Sequence, residues 1–241
     1  MDNENLLTEG AERLGITLGA AQAERFAVFG ALLRSWNEKM NLTAITDERD
    51  IIIKHFLDSL TVLAAADIAP GASVIDVGTG AGFPGIPMKI ARSDIELTLA
   101  DALAKRIGFL NEVIAQTGLS GARAVHMRAE EAGRSPAFRE RYDFAVSRAV
   151  AALPVLCEYC LPFVKPGGIF LAMKGGDVRE TGELEAARAA IAALGSSVVD
   201  VKQFILPYSG IEHTIIVIKK LRRLSPKYPR TQAQISKTPI K

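Results

Sequence analysis

The sequence predicts an α/β protein in which a mostly parallel sheet follows a helical N-terminal segment. Three observations support this fold class: helical spacing of apolar residues up to about residue 70, alternating short apolar runs and amphipathic stretches after Pro70-Gly71, and two last runs joined by the turn-rich Pro207–Gly210. Alternating strands and helices are typical of a parallel sheet with helices on both faces. The closely spaced last pair predicts an antiparallel hairpin that closes the sheet.

Composition excludes several classes of protein. The chain has 241 residues, of which 49% are hydrophobic and 23% charged, as in ordinary globular proteins. Cys157 and Cys160 are its only cysteines, and no apolar leader stands at the N-terminus, which argues against a disulfide scaffold and against secretion. No run approaches the roughly 18 uncharged apolar residues of a membrane span. We therefore expect a cytoplasmic protein.

The N-terminal segment, residues 1–70, is predicted to be a helical extension. Apolar side chains from Phe26 to Trp36 recur at spacings of three and four, which indicates one face of a helix over Ala20–Met40. Residues 41–43 interrupt the pattern. Ile51–Ala66 resumes it and is predicted to form two short helices.

The following segment, residues 71–220, is predicted to be the α/β core. Apolar runs predict the strands Ser73–Val77, Ile95–Ala100, Ala122–His126, Tyr142–Val146 and Gly168–Met173. Amphipathic stretches predict the helices Gly85–Ala91, Leu103–Thr117, Ala152–Phe163 and Val178–Leu194. The closing hairpin is predicted over Ser197–Leu206 and Thr214–Lys219.

The C-terminal segment, residues 221–241, is a basic tail that is predicted to be irregular because it contains three prolines. Residues 219–241 hold eight Lys and Arg side chains and no acid; since the whole chain sums to +2, the remainder sums to −6. A basic tail on an acidic body indicates a polyanionic partner, or only a solvated tail. If the partner is a nucleic acid, the affinity that the tail supplies weakens with salt.

The segment from Ser73 to Gly85 carries the most informative motif. A strand leads directly into an acid and three alternating glycines, and Pro84 stands where a helix would begin. Glycines at this place let the backbone turn sharply and let a ligand approach the main chain. Open α/β sheets bind their ligands at this carboxyl end of the strands. The motif residues are Asp76, Gly78, Gly80 and Gly82.

Two classes of cofactor fit this loop. Gly80-x-Gly82-x-x-Gly85 matches the dinucleotide fingerprint, which binds a pyrophosphate. Asp76 before the glycines matches a different pattern, the acid-x-Gly-x-Gly-x-Gly loop of S-adenosylmethionine-dependent methyltransferases, in which the acid orients the loop and can meet the ammonium group of the methionine moiety. Asp101 ends the second strand and can accept the ribose hydroxyls of either cofactor, or cap the next helix.

Later segments favour the second class. Lys165-Pro166-Gly167-Gly168 before the fifth strand, followed by the hairpin, resembles the seven-stranded core of the class I, Rossmann-like methyltransferases. A dehydrogenase of this length would lack room for a separate substrate domain. Groups just after the third strand would lie beside an adenine, although Glu130 there also fits a first-turn acid favoured by the helix dipole.

The full set of motifs resembles one family. The segments stand in this order: Asn41–Ala44, His55–Ser59, Asp76–Pro87, Lys105–Leu110, Val146–Ala149, Met173–Gly175 and Lys227–Arg230. From about residue 20 to the C-terminus the sequence is similar to the ribosomal RNA small subunit methyltransferase G family, also called the glucose-inhibited division protein B family. Glu212-His213 lies in a loop that is less basic than this family suggests, so no role is assigned to it.

This resemblance implies methyl transfer from S-adenosylmethionine to N7 of one guanine in 16S ribosomal RNA. It places cofactor contacts at Gly78, Phe83, Asp101, Ala102, Ala129, Glu130 and Arg148, to which the loop adds Asp76, Gly80 and Gly82. Arg148 is also expected to position the base or a flanking phosphate, or else to pair with a nearby acid. Expected RNA contacts are Lys174, Lys227 and Arg230. His55 and Asp58 are expected to line the face that receives RNA, or His55 to pack within its helix.

The chemistry of N7 predicts what the site does not need. N7 carries an in-plane lone pair and no proton, so it can attack the methyl group in line without a general base. Catalysis would then rest on alignment and on preorganised electrostatics. The sequence fits, because Ser147-Arg148-Ala149 stands where exocyclic-amine methyltransferases have an Asn/Asp-Pro-Pro-aromatic motif.

The cysteine pair has two interpretations. A pyrimidine C5 methyltransferase needs a cysteine nucleophile near a strand end, but Cys157 and Cys160 lie about ten residues beyond the fourth strand. We interpret them as small buried hydrophobic residues on one helix face. A zinc site would need four ligands and the chain has no second CxxC, so no metal is predicted.

Three other functions remain open from the sequence. A methyltransferase with a small-molecule substrate would turn over without RNA and would have no use for the tail. An RNA-binding module with a degenerate cofactor fold would not need the intact loop at Asp76–Gly82. A nicotinamide enzyme would bind the other cofactor. We expect a monomer, because no exposed apolar helix is left over.

Overall fold

The computed structural model describes residues 2–148, 150–178 and 180–240. Its strands form one seven-stranded sheet with the order β3-β2-β1-β4-β5-β7-β6. The strands are β1 (Ser73–Val77), β2 (Glu96–Asp101), β3 (Ala122–His126), β4 (Tyr142–Arg148), β5 (Val164–Gly175), β6 (Ser196–Ile205) and β7 (Glu212–Lys220). The pairs among β1 to β5 are parallel, whereas β7 runs antiparallel to β5 and β6. This confirms the predicted mostly parallel sheet with a closing hairpin.

The helices cover both faces of this sheet. Those before it are α1 (Asn3–Arg13), α2 (Ala20–Met40), α3 (Glu48–Ile51) and α4 (Asp58–Ala65). Those that follow β1 are α5 (Gly85–Ala91), α6 (Ala104–Thr117), α7 (Ala129–Ala132), α8 (Leu153–Cys160), α9 (Glu183–Ala193) and α10 (Gln232–Lys237). In the described part of the chain, none of them is long and apolar enough to cross a lipid bilayer.

The helical run before the sheet differs from its prediction. The sequence predicts two short helices over residues 51–66, but α3 continues through a π-helical turn at Ile52–Leu57 directly into α4. Ile52 and Asp58 both keep right-handed helical backbone angles, and the segment contains no Gly or Pro that would break it. The wider turn therefore stays inside one continuous helix.

The fifth strand also differs from its prediction at its start. The sequence predicts a strand over Gly168–Met173, but β5 begins at Val164. Its pairing with β4 has an irregularity between Tyr142 and Phe144. Gly167, with φ +88, supplies a conformation that other residues rarely adopt. The predicted helix over 178–194 likewise begins too early, because Gly182 is left-handed and α9 starts after it.

An aromatic cluster joins the N-terminal helices to the glycine loop. Phe29 of α2 and Phe56 of the π-helical turn lie 5.4 Å apart, centroid to centroid, and Phe29 lies 5.3 Å from Phe83 of the loop. Phe29 also lies 6.4 Å from Phe109 of α6. All four rings are buried. Aromatic packing of this kind stabilises the contact beyond its buried area, so the helices hold one side of the loop in place.

The C-terminal segment is not irregular throughout, which corrects the prediction. Residues 232–237 form α10, and Arg230 before it is bound to Glu158 of α8 through three side-chain hydrogen bonds of 2.7–3.1 Å. Arg139 adds hydrogen bonds to the carbonyls of Leu224, Ser225 and Tyr228. These contacts with the core order a segment whose own composition favours disorder.

Candidate active site

The glycine loop is organised around the buried carboxylate of Asp76. Its Oδ2 accepts hydrogen bonds from Thr79 Oγ1 at 2.6 Å and from the Gly85 amide at 2.8 Å, so one atom ties both ends of the loop to β1. Gly78, Gly80 and Gly82 lie between Asp76 and Gly85, each with positive φ. These contacts are those expected of an acid that orients the loop. Burial raises the pKa of Asp76 to about 6.

Two of these glycines are also crowded by neighbouring side chains. A Cβ on Gly78 would lie 2.6 Å from Val150 Cγ2, and one on Gly82 would lie 2.5 Å from Ile86 Cδ1. Gly80 differs, because a Cβ there would meet nothing closer than 4.0 Å. Gly80 lines the open cavity above the loop, so its missing side chain leaves room for a ligand rather than for the protein.

A cavity of about 480 Å³ lies above the loop, within the size range of small-molecule sites. Six predicted cofactor residues line it: Gly78, Gly80, Phe83, Asp101, Ala102 and Arg148. Asp76 and Gly82 are not part of this lining. Ala129 and Glu130 begin the short helix α7 after β3 and are not part of this lining either.

Asp101 at the end of β2 closes the loop from the other side. Its Oδ2 accepts from the Gly80 amide at 2.9 Å, and its Oδ1 accepts from the Leu103 amide at 2.9 Å. Arg106 pairs with the same carboxylate at 3.1 Å. Three donors therefore occupy a group with about four acceptor positions. About one acceptor position of the Asp101 carboxylate remains in this arrangement.

Arg148 at the end of β4 is fixed by the N-terminal helices. Its Nη1 donates to Asp58 Oδ2 at 2.7 Å and to the Lys54 carbonyl at 3.2 Å, and its Nη2 lies 3.1 Å from His55 Nδ1. Its guanidinium group also stands 4.8 Å from the centroid of the Phe83 ring. The expected pairing of Arg148 with a nearby acid is therefore confirmed, and Arg148 also lines the cavity.

His55 completes this arrangement as a neutral ring. It stacks on Phe83 with 4.5 Å between centroids, and its Nε2 lies 2.8 Å from Thr43 Oγ1. Burial and the adjacent Arg148 lower its pKa to about 4. Because Arg148 can only donate, the network assigns Nδ1 as acceptor and Nε2 as the protonated nitrogen that donates to Thr43. His55 thus lines the cavity without a free basic nitrogen.

Sequence reasoning left several lining residues without a role. Leu42, Thr43 and Arg106 line the cavity and belong to the segments Asn41–Ala44 and Lys105–Leu110, which carry the resemblance. Periodicity could not identify them, because Leu42 and Thr43 lie in a loop and Arg106 lies in the first turn of α6. The resemblance of these two segments to the family was the signal that could have identified them.

The predicted RNA-contacting side chains differ in accessibility. Lys174 Nζ pairs with Glu183 at 2.7 Å and donates to the Ala151 carbonyl at 3.0 Å. Arg230 is held by Glu158, which is 1% exposed. Lys227 is exposed and lies over the adjacent Tyr228 ring. Of the three, Lys227 has the charge most available to a polyanion.

Cys157 and Cys160 are fully buried on α8 as free thiols, which confirms the packing interpretation. Burial raises the pKa of both thiols. Among the residues that the structure describes, no cluster of three or more His, Cys, Asp or Glu side chains could hold a metal ion. The site therefore consists of the glycine loop, Arg148 and the groups that fix them.

Comparison with solved structures agrees with this fold. TrmN from Thermus thermophilus superposes with a TM-score of 0.50 at 18% identity, covering 70% of this chain and 53% of that one. TYW2 from M. jannaschii, solved in complex with AdoMet, superposes with a TM-score of 0.50 at 13% identity, covering 64% and 72%. The fold is that of the class I methyltransferases.

Comparison of sequences is more specific. The family model for rRNA small subunit methyltransferase G matches residues 22–211. The protein named ribosomal RNA small subunit methyltransferase G is 52% identical in Alkaliphilus oremlandii, over the whole of both chains. The protein of that name in Acetivibrio thermocellus is 49% identical over 98% of this chain and 96% of its own. With this similarity along its full length, and with the glycine loop and Arg148 in place, the chain belongs to the rRNA small subunit methyltransferase G family.

Proposed function

We propose that this protein transfers a methyl group from S-adenosylmethionine to N7 of a guanine in 16S ribosomal RNA. The observation that carries the proposal is the cavity between the glycine loop and Arg148, whose guanidinium group is fixed by Asp58, His55 and the Lys54 carbonyl. Relatives named as ribosomal RNA methyltransferases support the substrate class.

The residues of the cavity fit S-adenosylmethionine. Asp76 Oδ1 is a buried carboxylate oxygen with no hydrogen-bond partner among the described residues, as expected if a ligand or a water contributes a donor beneath the loop. Gly80 leaves its face of the loop open, and the Asp101 carboxylate has one acceptor position left for a hydroxyl. We propose that Asp76, Gly78, Gly80, Gly82, Phe83, Asp101, Ala102 and Arg148 bind the cofactor, with Ala129 and Glu130 beside its adenine.

The proposed reaction requires alignment and no general base. When bound, S-adenosylmethionine supplies a methyl group on a positively charged sulfur. N7 of guanine has no proton to lose, and His55, the histidine that lines the cavity, has both ring nitrogens engaged. Arg148 acts as a positioning residue, held rigidly so that the base meets the methyl group in line. Well-oriented reactants gain up to roughly 7–11 kcal/mol from such positioning.

The domain roles and the RNA contacts belong to the same proposal. We assign residues 1–70 to a helical extension that fixes Arg148, residues 71–220 to the methyltransferase core, and residues 221–241 to a basic tail. Lys227 contacts RNA phosphates, and Lys174 and Arg230 can do so only by giving up acidic partners. The protein acts as a monomer in the cytoplasm, where ribosomal RNA is found.

Nucleoside mass spectrometry of 16S ribosomal RNA tests this function. Cells that lack the gene should lose about one 7-methylguanosine per RNA molecule, and the gene supplied on a plasmid should restore it. A 7-methylguanosine content that is the same with and without the gene would contradict the proposed substrate. Turnover of S-adenosylmethionine by the purified protein with a small molecule and no RNA would instead support a small-molecule methyltransferase.

A further inference from the structure

A second cavity, of about 250 Å³, lies next to the first and shares Arg148 with it. Its walls come from the end of β5, the start of β7 and the N-terminal helices. Met173, Leu206 and Ile211 provide apolar surface. Charged side chains complete the lining, among them Lys54, Lys174 and Glu212. A cavity that adjoins the first one through an arginine, and that combines apolar with polar walls, suits an aromatic base. Nothing in the family comparison assigns this cavity.

One ring on its lining has an unusual hydrogen-bonding state. His213 is 5% exposed and lines the second cavity, and its Nδ1 pairs with Asp58 Oδ1. A carboxylate can only accept, so Nδ1 carries the proton. In the neutral ring Nε2 is then an acceptor. Nε2 is buried and has no hydrogen-bond partner among the residues that the structure describes. Buried polar atoms are normally paired, so this acceptor lacks a donor that a ligand bound in the cavity would supply.

Asp58 links this acceptor to Arg148. Its Oδ2 accepts from Arg148 Nη1 at 2.7 Å, and its Oδ1 accepts from His213. The buried Asp58 carboxylate thereby fixes both Arg148, a donor that lines both cavities, and His213, an acceptor on the lining of the second cavity. Arg148 has five N–H donors, and the contacts to Asp58, Lys54 and His55 occupy three of them. The remaining donors can meet an acceptor of the base.

Guanine matches this pair of groups. Its O6 and N7 are acceptors on one edge, and its N1–H and 2-amino group are donors on another. With N7 turned toward the first cavity, O6 on the same edge would face Arg148, which lines both cavities. The 2-amino group is the donor farthest from N7. We propose, building on the proposed function, that the second cavity holds the target guanine and that His213 Nε2 accepts a hydrogen bond from its 2-amino group.

This assignment explains how the base would be chosen. Adenine and hypoxanthine lack the 2-amino group, so either base would leave Nε2 without a partner. Sites built to hydrogen-bond a substrate group reject analogues that lack it. His213 is thus a specificity-determining residue, whereas the site of methyl transfer lies in the first cavity.

The experiment compares guanosine with inosine at the methylated position. The position is first located by mass spectrometry with wild-type enzyme, and the RNA is then assembled with inosine there. Inosine keeps N7 and O6 and lacks only the 2-amino group. The variant His213→Asn retains an amide that can donate to Asp58 but has no atom at the place of Nε2. Gln203→Asn, an exposed change on the neighbouring strand β6, is the control.

We expect wild type and Gln203→Asn to prefer guanosine roughly 10–100-fold in kcat/KM, the range of one hydrogen bond to a buried group. His213→Asn should lose a similar factor on guanosine, should bind S-adenosylmethionine as wild type does, and should methylate both RNAs equally. If wild type treats both RNAs alike, or if His213→Asn keeps the full preference, the inference is wrong. Failure of wild-type enzyme to methylate the guanosine RNA would instead overturn the proposed function.

Discussion

Arg148 Nη1 and Asp58 Oδ2 lie 2.7 Å apart although 90 residues separate them in the sequence. The contact joins the end of β4 to the first residue of α4. Both side chains are largely buried, so the pair depends on good geometry for its stability. The N-terminal helices are thereby coupled to the candidate catalytic cavity through one charged contact.

Removing the charge at Asp58 should impair methyl transfer through Arg148. We expect Asp58→Asn and Arg148→Ala each to lower kcat/KM roughly 10–100-fold, the range for losing a charge-assisted hydrogen bond. Because Asp58 acts partly through Arg148, the double variant should lose less than the product of the two single losses. Steady-state kinetics of the four proteins on 16S RNA measure this. Asp50→Asn, which breaks an exposed pair with Lys54, serves as control.

Two outcomes would contradict this prediction. Independent, additive losses would show that Asp58 does not act through Arg148. Full activity of Arg148→Ala would remove Arg148 from the site altogether.

The neutral state of His55 should make folding sensitive to mild acid. Its pKa is about 4 in the folded protein and 6.5 for an ordinary histidine, so the unfolded chain binds the extra proton first. The contribution of His55 is complete above pH 6.5 and is lost as the pH falls toward 4. At pH 5 the loss is about 2 kcal/mol.

Urea unfolding of wild type and His55→Gln at pH 7.5 and pH 5 measures this loss. Because the pKa of Asp76 is raised to about 6, its protonation increases the free energy of unfolding as the pH falls. This contribution is present in both proteins and cancels in the comparison. The free energy of unfolding of wild type should fall toward that of His55→Gln, or below it, as the pH drops. A difference between the two proteins that stays constant with pH would exclude the titration of His55.

The substitution Gly80→Ala should weaken ligand binding more than it lowers the free energy of unfolding. Its φ is +59 and a Cβ there meets no close atom, so Gly80→Ala should cost only the roughly 1–2 kcal/mol of a left-handed alanine. The added methyl group projects at the first cavity and should weaken S-adenosylmethionine binding at least 10-fold by calorimetry. Gly118→Ala is the matched control, with φ +61, open space and no place in the cavity. Equal cofactor affinity in the two variants would argue against Gly80 as a contact.

Arg230 should act mainly on stability. Removing its guanidinium group leaves Glu158, which is 1% exposed, without its charged partner, and loss of one member of a buried pair costs roughly 3–5 kcal/mol. The exposed Lys227→Ala should change the free energy of unfolding by less than about 0.5 kcal/mol. Chemical denaturation measures both values. Should Arg230→Ala unfold like wild type and bind RNA less tightly, Arg230 would be an RNA contact instead.

The pattern of local sequence determined most of the fold. Strands and helices followed from periodicity, and β1, β3 and α5 have the predicted bounds, because these segments are ended by local signals such as Gly, Pro and charged turns. The motif at Asp76–Gly82 indicated a ligand loop for the same reason: its chemistry lies within a few residues. The predicted start of the fifth strand at Gly168 was wrong, because pairing with β4 extends β5 back to Val164.

Tertiary structure alone decided which distant charges meet. Asp58, Arg148 and His213 belong to three separate elements, and no spacing relates them. The sequence predicts Arg230 as an RNA contact, whereas the fold pairs it with Glu158. A charged side chain in an extended chain has water as its partner. Burial removes that water, so the fold determines whether the charge becomes a structural contact, a positioning group or a surface for RNA.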